Sequence, residues 1–101
     1  MAKVEWSPQA RTELKEILKF SARRDKRPQT AANIEAEIKK KLILYAGSPD
    51  IGHCHELLPN DWRCCRHKRW TIVYRPGESG IQVLRIVDAA RNFTMLFADP
   101  Q

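Results

Sequence analysis

Residues 62–88 read WRCCRHKRWTIVYRPGESGIQVLRIVD, and the fold turns on this stretch. Its apolar residues alternate or run together over strand length in three pieces, 62–66, 69–75 and 81–88. His67-Lys68 supplies a tight turn between the first two. Pro76-Gly77-Glu78-Ser79-Gly80 supplies a looser one before the third. Successive strands joined by short turns predict an antiparallel meander. Trp70, Ile72 and Tyr74 share one face of the middle strand, which suits a core.

Upstream the pattern begins with a short alternating strand, Lys3–Trp6, and then takes a helical period. Ser7 is placed to cap a helix that has Pro8 at its first position. Ala10, Leu14, Ile17 and Leu18 form its apolar stripe, and the helix should fade over residues 23–26. Pro28 breaks the chain, and Thr30 caps a second helix with the stripe Ile34, Ile38, Leu42 and Tyr45. That helix ends at Gly47, before Pro49. Two amphipathic helices with a short linker make a helical hairpin. The whole is an α+β fold in one domain over residues 1–101: an N-terminal strand, a helical hairpin, then a three-stranded antiparallel meander with the helices on one sheet face. The first strand must join that sheet, because a lone strand leaves its backbone groups unpaired. Residues 92–97 are apolar enough to dock.

Composition agrees. A chain of 101 residues with 43% hydrophobic and 30% charged residues is globular and holds one core. No apolar run approaches the roughly 18 residues of a membrane span, and the start MAKVEWSPQ lacks a signal peptide's apolar stretch. A cytoplasmic protein without membrane contact is expected. Gly47, Gly52, Gly77 and Gly80 are too scattered for a phosphate loop, and no repeat is visible. The cysteines are odd in number, and Cys64 and Cys65 are adjacent, unlike a secreted disulfide scaffold.

The formal charge of +6 is uneven. Residues 8–27 carry seven basic and three acidic side chains, and residues 61–75 carry five and one, so each stretch is +4. Such patches suit a polyanion or an acidic protein partner, although a basic helix face is ordinarily just solvated. His53, Cys54, His55, Cys64, Cys65 and His67 crowd together and invite a zinc reading. Adjacent cysteines on a strand point to opposite faces, however, and no C-x-x-C is present, so no metal or cofactor is expected. Nothing in the spacing marks a nucleophile with its base, or a paired-carboxylate site. What remains is Arg63, Arg66, Lys68, Arg69, Arg75, Arg85 and Arg91 beside Trp62, Trp70 and Tyr74. Arginine with aromatics suits RNA binding or cleavage, and equally a protein–protein hot spot.

The run WRCCRHKRWTIVYRPGESGIQVLRIVDAARNFTMLF, residues 62–97, resembles the ParE/RelE superfamily of type II toxin–antitoxin toxins, and its ParE branch most closely. The resemblance rests on the strand Trp70 to Arg75, on Ile81 to Val87 after the turn, and on the element Ala90-Arg91-Asn92. The opening VEWSPQARTELKEI is similar to the family's entry strand and helix. Asp88-Ala89 departs from the His-Gly common in ParE-like chains.

The resemblance implies the same fold and a cognate ParD-like antitoxin whose extended, often acidic tail wraps the toxin in a hetero-oligomer. The basic surface suits such a tail. It further implies one of two targets. ParE-like members poison DNA gyrase without chemistry of their own and are associated with plasmid stabilisation. RelE-like members cut mRNA on the ribosome, which needs proton-transfer groups and cations around the phosphate. Where RelE-like chains place an arginine after the central-strand aromatic, this chain has Thr71. Their later tyrosine is Phe97 here, and of two lysines Arg63 stands for one while Cys65 lies near the other. Arg91 keeps its counterpart, and His67 could replace a lost acid or base. The expectation is therefore a noncatalytic gyrase poison, with mRNA cleavage as the alternative and a non-toxic nucleic-acid-binding module as the second. Target contact is assigned to Arg63, Arg66, Lys68, Arg69, Arg75 and Arg91, with Trp62 and Trp70 as anchors. The family places the antitoxin on Leu14, Leu18 and Arg85.

Overall fold

The structure is a computed structural model that describes residues 2–26, 28–54, 58–59 and 61–88. In chain order it contains β1 (Lys3–Trp6), α1 (Pro8–Asp25), α2 (Pro28–Gly47), a short 3₁₀ turn (Pro49–Ile51), β2 (Arg63–His67), β3 (Trp70–Gly77) and β4 (Gly80–Asp88). The α+β order is the one read from the sequence. The expected docking element at residues 92–97 lies outside the described residues.

The sheet runs β1-β4-β3-β2. The three later strands form the antiparallel meander, and β1 joins its far edge parallel to β4, from Lys3 opposite Gly80 to Trp6 opposite Val83. Sequence patterning could not supply that pairing, because it joins residues almost eighty positions apart. Gly80 makes it possible: a Cβ there would overlap the backbone of Lys3.

Ser7 links strand, helix and sheet. Its Oγ accepts from the Ala10 N–H at 3.0 Å as the N-cap of α1 and donates to the Leu84 carbonyl at 3.0 Å. The two apolar stripes fall as read: Ala10, Leu14, Ile34, Ile38 and Leu42 are buried, with Ile17, Leu18 and Tyr45 packed against them. They meet Cys65, Trp70, Ile72, Tyr74, Ile81, Val83 and Ile86 from the sheet.

Several boundaries differ from the sequence reading. Helix α2 begins at Pro28 and not after a Thr30 cap, since proline's fixed φ and missing N–H suit a first helical position. Lys26, in the left-handed conformation (φ 55°), ends α1, so only two residues separate the helices. The β2–β3 turn is Lys68-Arg69, one residue later than expected, with His67 still paired to Trp70 and Lys68 taking φ 54°. β3 also extends through Pro76 to Gly77, which leaves Glu78-Ser79 as a two-residue turn. β2 pairs with β3 only as far as Tyr74, so the N–H that Pro76 lacks has no strand partner to miss.

A register shift at Val73/Tyr74 sets Val73 opposite Arg85 and Tyr74 opposite Val83, leaving Leu84 as an extra residue on β4. Tyr74 is fully buried, edge-on to Tyr45 at 5.8 Å between ring centres, and donates to the Pro49 carbonyl at 2.6 Å. Burial pushes its phenol up to about 12.

Candidate functional site

Strand alternation sorts the cations of the hairpin. Cys65 and its partner Ile72 are buried on the helix side, so Arg63 and His67 share that side while Cys64 and Arg66 point the other way. Arg63 is tied down by its Nη1, which donates to the Gly52 carbonyl at 3.1 Å and reaches the Asp50 carbonyl at 3.4 Å. It thus holds the 3₁₀ turn to the sheet. At the other end of β2, His67 Nε2 and Lys68 Nζ both lie 3.1 Å from Glu37 Oε1 on α2. These two contacts hold the Glu37 carboxyl below its usual value, the Lys68 hydrogen bond contributing most. Arg69 pairs with Asp88 at 2.7 Å, and Arg75 donates to Gln82 at 2.7 Å.

The expected target residues do not form one patch. Arg66, Lys68 and Arg69 gather at the β2–β3 turn, whereas Arg63 and Arg75 lie toward the opposite end of β3, about 20 Å from Arg69 at strand rise. Arg66 is exposed, and its Nε donates to the Lys68 carbonyl at 3.1 Å. Trp62 is half-buried and flanks Ser7, Pro8, Leu84 and Arg85. Trp70 is buried in the core, which limits it as a surface anchor. Arg91 and Phe97 lie outside the described residues.

On the far side, β1 ends opposite Val83, and α1 covers the next part of the β4 edge. Glu13 Oε1 accepts from the Ile86 N–H at 2.8 Å, and its Oε2 accepts from Arg85 Nε at 2.8 Å. The pair is mostly buried, with side chains 18% and 22% exposed. Beside it a groove of about 490 Å³ opens between Ile17 and Phe20 of α1 and Ile86 to Asp88 of β4, with Arg69 and Trp70 at its end. Phe20 is 57% exposed there. Of the residues assigned to the antitoxin, Leu14 is core, Leu18 is half-buried, and Arg85 is held by Glu13 beside this groove.

Cys54 is exposed, Cys64 half-buried and Cys65 buried, and all three are free thiols. Burial pushes Cys65 up to about 11 and raises Cys64 as well. Among the described residues no three His, Cys, Asp or Glu side chains converge as a ligand set; His55 lies outside them. No described helix is long and apolar enough to cross a membrane.

Sequence reading singled out the cations and missed their acids, Glu13, Glu37, Asp50 and Asp88. For Glu13 a signal existed. It falls at helical spacing within the stripe Ala10, Leu14, Ile17, where a buried acid needs a partner.

The sequence profile of the family described as ParE toxin of type II toxin-antitoxin system, parDE, matches residues 4–93. The chain belongs to the ParE toxin family. The fold agrees: the chromosomal ParDE TA system from P. aeruginosa superposes with a TM-score of 0.71 at 18% identity, over 87% of this chain and 96% of that one. No curated protein matches the chain.

Proposed function

We propose that this ParE family member is a toxin that inhibits DNA gyrase by protein–protein contact and is neutralised by a ParD-like antitoxin. The observation that carries the noncatalytic reading is that the positions an RNA-cutting site would use are replaced or already engaged. Thr71 supplies no cation, Arg63 is tied to the Gly52 carbonyl, and His67 is engaged by Glu37. The Cys65 thiol, pushed to about 11, is a poor proton donor or acceptor near neutrality. A cut through the ribose 2′-OH needs such groups around one phosphate.

The antitoxin is assigned to the groove between α1 and β4. An extended segment there would lie along the groove with an apolar side chain against Phe20. The formal charge of +6 favours an acidic one. The test is a supercoiling assay with purified gyrase, run beside a ribosome-bound mRNA cleavage assay. Inhibited supercoiling with intact mRNA supports the proposal; cleaved mRNA with normal supercoiling refutes it.

A further inference from the structure

The turn between β2 and β3 is fastened to α2 through a single carboxylate oxygen. Glu37 Oε1 receives His67 Nε2 and Lys68 Nζ, each at 3.1 Å. Lys68 sits at φ 54°, the left-handed conformation that a two-residue hairpin turn takes at its first position. Its carbonyl in turn accepts from Arg66 Nε at 3.1 Å. A relay therefore runs from helix to turn backbone to guanidinium. Lys68, Arg69 and Arg63 each have an acid within 4 Å, whereas Arg66 has none among the described residues. Its two terminal nitrogens are left available on an exposed guanidinium whose Nε is already fixed.

We infer that Glu37 is a positioning residue for toxicity, presetting the β2–β3 turn so that the Arg66 guanidinium meets an acidic or carbonyl-rich surface on the target in one orientation. This rests on the proposed gyrase contact and on the expectation that Arg66, Lys68 and Arg69 take part in it, and adds how that contact is organised. A planar fork held at Nε can offer its other N–H groups to a carboxylate as a pair, which a freely rotating side chain does at an entropic cost. Glu37 and Lys68 are both exposed and their pair contributes little to folding, while the His67 side chain is only 15% exposed. Loss of the Glu37–Lys68 pair should therefore be visible in function without being visible in melting.

The test uses Glu37→Ala, Glu37→Gln, Arg66→Ala and the double variant Glu37→Ala/Arg66→Ala, induced at matched protein levels. Glu37→Ala and Arg66→Ala should each raise the toxin level needed to arrest growth by about five-fold, with the double variant no worse than Arg66→Ala. Glu37→Gln, which keeps an acceptor oxygen, should recover part of the loss, and melting temperatures should stay together. By NMR, the Arg66 Nε–H should exchange faster in Glu37→Ala than in the unaltered protein. Unchanged toxicity of Glu37→Ala, independent losses that add in the double variant, or unchanged Nε–H exchange overturns the inference. Growth arrest without gyrase inhibition sinks the gyrase reading alone, since the growth series does not depend on which target is struck.

Discussion

Glu13 shows how one side chain can close a sheet edge. Where β1 stops, the Ile86 N–H would face α1 with no strand to receive it, and the Glu13 carboxylate accepts from it and from Arg85 together. Glu13→Ala should destabilise the fold by about 2 kcal/mol, because it leaves a backbone donor and a mostly buried guanidinium without this acceptor. Glu13→Gln should cost less, and urea titration of the two variants measures the difference. The cysteines give a second prediction. With Cys54 exposed and burial raising both Cys64 and Cys65, iodoacetamide at neutral pH should label Cys54 first and spare Cys65 until the protein unfolds. As pH rises from the ordinary 9.0 toward about 11, the buried Cys65 thiol is pressed to ionise and the folded state loses stability, because its folded value lies above the unfolded one. Mass spectrometry of labelled peptides reads both effects.

At the scale of elements, periodicity carried most of the fold. The helical stripes and the strand alternation named the core, and Ser7-Pro8 named the start of α1, because these signals are local. The turn at Lys68-Arg69 was displaced by one residue because nothing in its composition advertises a left-handed residue; Gly or Asn would have. The β1–β4 pairing and the acid partners of the cations were not legible, since both depend on residues far apart in sequence. Gly52 belongs with these. It looks like a loop glycine, yet a Cβ there would collide with the Tyr74 ring and hydroxyl, so the segment after α2 closes over the tyrosine only without a side chain. Gly52→Ala should displace the Tyr74 hydroxyl from the Pro49 carbonyl and lower the melting temperature by several degrees, about 1–3 kcal/mol. A thermal melt checks it.

Across the whole molecule, the basic surface divides into two jobs. Much of it is structural: Arg63 clamps the 3₁₀ turn, Arg85 joins sheet to α1, and Arg69 reaches Asp88. Arg66 at the β2–β3 turn is presented outward, while a groove lined by both charged and apolar side chains opens beside the β4 edge. The most direct test of the central claim is pulse-labelling of growing bacteria after this chain is induced alone, following thymidine and methionine incorporation separately. A gyrase poison stops thymidine incorporation first while methionine incorporation continues. Collapse of methionine incorporation first would contradict the account and place the target on the ribosome.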